Sequence, residues 1–181
     1  PKTLGFQLTS TGVPFLRAEN IDGEVNAQVV KLFMSKETSD ALDRSKTQNG
    51  DVLITIAGTI GRVGWVPLGA PEMNMNQAVA IIRPKINVIS TKYLVYALRG
   101  RAMQDQVSAG TVKAAIPNFS LTMIRGMTIP LPPLSEQKKI VERMDALTQK
   151  VHELQAFQSQ TASDLTALKQ SILHQAFQGE L

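Results

Sequence analysis

The pattern of apolar and polar positions divides the chain at a proline-rich segment, residues 129–135 (IPLPPLS). Its three prolines cannot continue a helix or a central strand. Before this segment, short runs rich in Val, Ile and Thr end at Gly, Pro or Asn, a pattern typical of strands. The strand candidates are Gly12–Arg17, Asp51–Ala57, Arg62–Val66 and Ala78–Arg83.

Two shorter stretches of the first region have helical spacing. Thr91–Arg101 places its apolar residues on one side of a helix, and Ser120–Arg125 fits a short helix with Asn118 or Ser120 as its N-cap. Mixed with the strand candidates, these stretches predict an α+β fold. We expect an irregular, β-rich domain followed by one long C-terminal helix.

The long helix is predicted from Glu136 to Gln178, with Ser135 as its N-cap and a length of about 65 Å. Apolar residues recur there at alternating spacings of four and three, the signature of a coiled coil. Such a helix cannot bury its own apolar stripe, so we expect it to pair with a second helix as an antiparallel coiled coil. The pairing positions are Ile140, Met144, Leu147, Val151, Leu154, Leu165, Leu168 and Ile172.

Gln158 and Thr161 interrupt the stripe near its middle. A polar layer there would penalise slipped registers. If two such helices pair antiparallel with their centre near Gln158, Leu147 of one helix lies beside Leu168 of the other. Alternatively, the stripe simply rotates towards solvent at this point. Both interpretations fit the sequence.

Composition narrows the classes of function. The chain has no cysteine and only two histidines, which excludes disulfides and thiolate metal sites and leaves little material for a histidine centre. No apolar run approaches the roughly 20 residues of a membrane span, and we expect a cytoplasmic protein with no metal, cofactor or membrane partner. Residues 1–135 hold 14 Lys/Arg against 9 Asp/Glu, whereas residues 136–181 hold 5 against 6. A basic first region favours a polyanionic partner.

Several segments resemble one known family. They are GDVLITIAGTIGRVGWV at Gly50–Val66, NMNQAVAIIRP at Asn74–Pro84, and IPNFSLTMIRGMTIPLPPLSEQKKIVERMDAL at Ile116–Leu147. GVPFLRAENI at Gly12–Ile21 and the terminal QAFQGEL add weaker matches. Together they resemble the specificity subunit of type I restriction–modification systems, and PLPPLSEQ followed by a long helix is the most distinctive of these features.

The resemblance implies a target-recognition domain at residues 1–133 and a conserved spacer helix at 134–181. It implies that the domain reads one half of a split double-stranded DNA target. The helix would set the spacing between the halves and dock the methyltransferase subunit, which modifies adenine; the restriction subunit would join through the complex. Family members usually carry two domains and two spacers. We therefore expect either half of a longer subunit or a half-subunit that forms a homodimer.

Candidate DNA-binding residues follow from the chemistry of base and phosphate recognition. The glycine-rich turn GTIGRVG presents Thr59 and Arg62, although an ordinary turn with a solvated arginine would look the same. Asn at a strand entry more often serves turn chemistry than base readout. The full set of candidates is Arg17, Thr59, Arg62, Asn74, Asn76, Gln77, Thr111 and Lys113.

An enzyme is not predicted. Pro132–Pro133 lies between two leucines rather than in the Asn/Asp-Pro-Pro-aromatic motif of an adenine methyltransferase. The sequence has no phosphate-binding G-x-x-x-x-G-K and no cluster of carboxylates for a nuclease. The alternative to DNA recognition is a coiled-coil oligomerisation or adaptor protein whose globular domain binds another ligand.

Overall fold

The chain forms two compact units in the computed structural model, Pro1–Lys138 and Lys139–Leu181, which we call the head and the rod. Residues 8–110 and 119–178 are described. The strands are β1 (Leu8–Thr9), β2 (Val13–Leu16), β3 (Gly23–Glu24), β4 (Phe33–Met34), β5 (Val52–Thr55), β6 (Val63–Trp65), β7 (Asn74–Met75) and β8 (Val79–Ile82). The α-helices are α1 (Lys36–Ala41), α2 (Thr91–Arg99), α3 (Arg101–Gly110), α4 (Leu121–Gly126) and α5 (Leu134–Gln178).

The strands form two four-stranded sheets, in the orders β1-β4-β2-β7 and β3-β6-β5-β8. In the first sheet, β2 is antiparallel to β4 and parallel to β7. In the second sheet, β5 is antiparallel to both β6 and β8, and β3 runs parallel to β6. The observed architecture is α+β, as the sequence predicts.

The four predicted strands are confirmed as β2, β5, β6 and β8, and the predicted helices as α2, α4 and α5. Ser120 is the N-cap of α4, where its hydroxyl accepts a hydrogen bond from the Met123 N–H at 3.3 Å. The prediction for Ser135 was wrong. The carbonyl of Pro133 accepts the first helical bonds, from the N–H groups of Glu136 and Gln137 at 2.9 and 3.0 Å, so α5 begins at Leu134.

Strand β5 lies at the centre of the head and is buried on both faces. Val52 and Ile54 join a cluster with residues of α2 and α3, while Leu53 joins a second cluster around Leu16 and Met75. Alternate residues of a strand point to opposite faces, which explains this division. A continuous apolar run of this kind is expected for a strand covered on both sides.

Side chains of α2 and α3 hydrogen-bond the backbone of the proline-rich segment and of Thr128, the residue before it. Gln106 contacts both the N–H and the carbonyl of Thr128, at 3.2 and 3.3 Å. The hydroxyl of Tyr93 donates to the Pro130 carbonyl at 2.8 Å. A segment with few N–H groups of its own is thus held by donors and acceptors from α2 and α3.

Gln137, in the first turn of α5, completes this attachment. It is fully buried, accepts a hydrogen bond from the Ser90 N–H at 2.9 Å, and donates to the carbonyls of Val88 and Pro132 at 2.9 and 2.8 Å. Ser90 is also the N-cap of α2, through its hydroxyl. One amide therefore joins the first turn of α5 to the residues that start α2.

The rod is helical throughout residues 139–178, and its apolar stripe is solvent-exposed along most of its length. The side chains of Leu154 and Leu165 are each 62% exposed, and Ile140 is half-buried. None of the helices in the described ranges has a stretch long and apolar enough to span a membrane.

Replacement of Gln137 by alanine is expected to destabilise the head by about 2–4 kcal/mol, because one N–H and two carbonyls lose their buried partner. Urea unfolding followed by the fluorescence of Trp65, the only tryptophan of the chain, measures this change. Gln149→Ala is the matched control. Gln149 is an exposed residue of the same helix, and within the described residues its side chain hydrogen-bonds only Glu153. Equal stabilities for the two variants would contradict the assigned role.

Candidate nucleic-acid interface

Strand register brings most of the predicted DNA-binding residues to one end of the head. Because β5 is antiparallel to β6 and β8, the end of β5 lies beside the starts of both, with Ile54 opposite Val63 and Thr55 opposite Val79. We call this the loop end of the second sheet. The turn between β5 and β6, which carries Thr59 and Arg62, and the turn that precedes β8 both lie here.

The first sheet delivers Arg17 to the same place. Leu16, the last residue of β2, pairs with Met75 of the parallel strand β7, and its carbonyl accepts a hydrogen bond from the Asn76 N–H at 2.9 Å. Arg17 and Asn76 therefore follow neighbouring strand ends, and the turn of Asn76 and Gln77 leads directly into β8. Five predicted residues from three segments are brought together in this way.

The turn between β5 and β6 is held by Thr55. The Thr55 carbonyl accepts a hydrogen bond from the Gly61 N–H at 2.9 Å, and the Thr55 N–H donates to the Arg62 carbonyl at 3.0 Å. The Thr55 hydroxyl accepts from the Arg62 N–H at 3.0 Å and donates to the Thr59 carbonyl. The backbone around both candidate residues is thus tied to a buried strand.

Two glycines permit the path of this turn. Gly58 and Gly61 have φ values of +75° and +87°, in the left-handed region that glycine adopts without steric cost. Gly61 also lies close to α3. A Cβ at that position would be 2.8 Å from Oε1 of Gln104, whose amide donates to the carbonyls of Gly61 and Leu98 at 3.2 and 2.7 Å.

Arginine side chains supply positive charge at the loop end. Arg17 lies 3.8 Å from Glu19, and Arg99 lies 3.4 Å from Asp22 while it also donates to the Val63 carbonyl. Arg62 is exposed, and its guanidinium has no partner within residues 8–110 and 119–178. An arginine of this kind is available for a phosphate or for the acceptor edge of guanine.

Two amide side chains lie on the turn before β8, on the other side of β5 from Arg62. Asn76 is half-buried, and its side-chain oxygen accepts from the Ala78 N–H at 3.1 Å, which is turn chemistry. Its side-chain NH₂ group bonds no residue in the described part of the chain. Gln77 is exposed and its amide likewise has no partner there. A paired donor and acceptor of this type suits adenine.

Asn74 differs from the other candidates. It is fully buried in β7, where its oxygen accepts from the Ser39 hydroxyl at 2.7 Å and its NH₂ group donates to the Ser45 hydroxyl at 2.8 Å and the Leu42 carbonyl at 3.3 Å. These contacts connect β7 to α1 and the turn after it. The side chain is fully engaged inside the head, away from the exposed surface of the loop end.

Beside Asn74, four charged side chains form a surface network of Lys36, Asp40, Lys46 and Glu72. Hydrogen bonds to Glu72 and Asp40 raise the pKa values of Lys36 and Lys46, respectively, above the ordinary lysine value. Hydrogen bonds from Lys46 and Lys36 lower the pKa values of Asp40 and Glu72, respectively. The two lysines are thus already paired with carboxylates, unlike Arg62.

Thr111 and Lys113 lie outside the described residues. The residues on either side are Gly110 and Phe119, which contact each other: a Cβ on Gly110 would be 2.8 Å from Cε2 of Phe119. The Phe119 N–H donates to the Ile56 carbonyl at 2.9 Å, next to Thr55. Gly110 and Phe119 therefore both lie near the loop end.

Thr55 and Gln104 were not among the sequence candidates. A threonine inside an apolar strand and a glutamine on a short helix carry no motif, so only their hydrogen bonds identify them. Across the two described ranges, no group of three His, Cys, Asp or Glu residues is arranged to hold a metal ion.

Comparison with known proteins identifies the class of protein. A family model described as the type I restriction modification DNA specificity domain matches residues 6–161, and the chain belongs to this family. The resemblance seen in the sequence is thereby confirmed. Membership in a family of DNA specificity domains also supports the prediction that the chain is not an enzyme.

Particular relatives agree with this assignment. The chain is 32% identical over 173 residues to the EcoBI specificity subunit of Escherichia coli, covering 94% of this chain and 36% of that protein. It is 28% identical over 137 residues to the putative MjaX specificity subunit of Methanocaldococcus jannaschii, covering 72% and 32%. The chain therefore spans about a third of the length of these relatives.

Solved structures share the fold over the whole chain. A chain from a structure concerned with assembly and conformational transition of the type I R-M system superposes with a TM-score of 0.77, and the HsdS subunit from Thermoanaerobacter tengcongensis with 0.66. Each is 25% identical and covers 100% of this chain, which corresponds to 42% and 41% of those chains.

Substitution of the two turn glycines tests whether the turn is held as described. Gly58→Ala is expected to cost about 1–2 kcal/mol, because a left-handed φ disfavours a Cβ that otherwise meets open space. Gly61→Ala is expected to cost about 1 kcal/mol more, since its Cβ would also displace Gln104 from its hydrogen bond. Urea unfolding of both variants measures the difference, and a smaller cost at Gly61 would contradict the contact with α3.

Proposed function

We propose that this chain is the half-site reader of a type I restriction–modification specificity subunit, and that the loop end of the head faces the DNA duplex. The carrying observation is the register that gathers Arg17, Thr59, Arg62, Asn76 and Gln77 on one end. They supply guanidinium, hydroxyl and amide groups, the types that contact base edges and phosphates. The names of two relatives, which describe them as specificity subunits of type I restriction enzymes, support the same function.

Within this set we assign Arg62 the leading role, because it is exposed, lies on a turn of fixed backbone, and has no partner among the described residues. Thr59 precedes it on the same turn, and Gln77 offers the amide with the fewest competing bonds. Asn74 is left out of the proposed interface because its side chain is buried and fully bonded. Thr111 and Lys113 remain proposed contacts, since both flanking residues lie at the loop end.

The other partners also belong to the proposal. We propose that the complete subunit binds the methyltransferase subunit for adenine methylation, and the restriction subunit through that complex. The rod would pair with a second spacer helix, from another copy or from the remainder of a longer subunit, and so set the distance between the half-sites. Its exposed stripe supports this pairing, because side chains such as Leu154 and Leu168, 62% and 56% exposed, gain stability when a partner covers them.

The direct experiment combines this chain with the methyltransferase subunit of its own restriction–modification system, in a host without adenine methylation, and maps the methylated adenines. A defined split sequence is expected, and exchange of the head should change that sequence. Lengthening of the rod should change only the gap. Methylation without a defined sequence would contradict the proposal.

If Arg62 contacts guanine, Arg62→Ala is expected to weaken binding of the complex to its target duplex by about 1–3 kcal/mol. If Arg62 contacts phosphate, the substitution is expected to reduce the slope of log binding constant against log salt concentration by about 1. Lys85→Ala is the matched control. It removes the same charge from an exposed position after Ile82, at the opposite end of β8. Equal effects of both variants across salt concentrations would argue for a general charge effect and against this interface. Salt-independent binding by the wild type would favour the adaptor alternative.

Pairing of the rod is tested by cysteine cross-linking, because the natural chain contains no cysteine. Antiparallel pairing centred near Gln158 sets Leu147 beside Leu168 of a second copy. A mixture of Leu147→Cys and Leu168→Cys proteins is expected to form mixed disulfide dimers under mild oxidation. Leu147→Cys alone would cross-link efficiently only in a parallel pair, and a chain that stays monomeric at micromolar concentration would contradict pairing between copies.

A further inference from the structure

Thr55 combines complete burial with four hydrogen bonds to a single turn. Its side chain has no solvent exposure, and it is the last residue of the central strand β5. Two of the four bonds use its backbone, as any residue at that position would. The other two require its hydroxyl.

The hydroxyl of Thr55 acts as donor and acceptor at once. It accepts from the Arg62 N–H at 3.0 Å and donates to the Thr59 carbonyl. These are the backbone groups of the two residues that we assign to DNA contact on this turn. Valine has the same shape but would satisfy neither group, whereas serine would satisfy both.

Distances between side chain and base edge must be accurate to within a fraction of an ångström for a hydrogen bond to discriminate among bases. The side chains of Thr59 and Arg62 inherit their position from their backbone. The glycines at 58 and 61 leave this backbone with unusual freedom unless it is tied. Contact with DNA phosphates is less demanding, because electrostatic attraction has no sharp dependence on angle.

We propose that Thr55 is a positioning residue for sequence readout, whose buried hydroxyl sets Thr59 and Arg62 in the geometry that distinguishes bases. The inference rests on the proposed function. Thr55 would determine how well the protein discriminates between DNA sequences and would contribute little to its general affinity for DNA. Gln104 supports the same turn from α3 through the Gly61 carbonyl.

Thr47 provides the matched control for the loss of a buried hydroxyl. It is 7% exposed, and its hydroxyl donates to the Met73 carbonyl at 3.3 Å. It lies next to the bridge between Lys46 and Asn74, within the part of the head that holds Asn74 rather than in the turn. Thr47→Val therefore removes a comparable bond without touching the backbone of Thr59 or Arg62.

The experiment uses complexes of the methyltransferase subunit with wild-type, Thr55→Val, Thr55→Ser and Thr47→Val chains. Each complex is assayed by mapping of methylated adenines, and by competition binding with duplexes that carry single base-pair changes in the wild-type target. Thr55→Val is expected to lose about tenfold or more of its discrimination at the base pairs that the turn reads. Its affinity for unrelated duplex and its salt dependence should stay near the wild-type values. Thr55→Ser and Thr47→Val should keep the wild-type discrimination.

Three results would overturn the inference. They are unchanged discrimination in Thr55→Val, a loss that serine does not restore, and an equal loss in Thr47→Val, which would indicate general destabilisation. Failure of the proposed function is distinguishable, because the wild-type complex itself would then methylate no defined sequence. If Thr55→Val does not fold, Thr55→Cys is compared with Thr55→Ser. These two side chains are close in size but differ in hydrogen-bonding strength, and equal discrimination by both would also refute the role.

Discussion

The pairing of β5 with β6 and β8 is the constraint on which the rest of the head depends. Its four residues are buried on both faces and hydrogen-bonded along both edges, so each end of the strand is fixed in space. At one end Thr55 closes the turn that carries Thr59 and Arg62. At the other end the Gly50 carbonyl accepts a hydrogen bond from the Thr91 hydroxyl, at the start of α2. A shift of β5 by one residue would alter both ends together.

This arrangement separates two tasks within the head. The loop end presents exposed polar groups on a backbone that buried residues hold, which is the design expected of a recognition surface. Gln137 lies beside Ser90 and Thr91, at the opposite end of the sheet, and there joins the first turn of α5 to the start of α2. The first turn of α5 is thus held away from the residues proposed to read DNA.

The sequence anticipated the elements whose pattern is local. Strands β2, β5, β6 and β8 and helix α5 each carry enough periodic or β-branched residues to be recognised alone. The two-residue strands such as β3 and β7 were not predicted, because two residues have no periodicity and pair only when a neighbouring strand is present. Helix α3 was also missed, because the prediction ended the helix at Arg101, where a second helix begins after Gly100.

For the candidate site, the sequence by itself determined which chemical groups were available: arginines, amides and hydroxyls close to glycines and strand ends. It also determined the family, through segments that include the PLPPLSEQ pattern, and the long apolar stripe of the rod. Only the tertiary structure separated Asn74 from Asn76. Both asparagines lie near a strand entry, two residues apart, yet one is buried among Ser39 and Ser45 and the other lies at the loop end. The roles of Thr55, Gln104 and Gln137 likewise came from the tertiary structure, because the groups that each residue bonds are set by strand pairing and packing between segments distant in sequence.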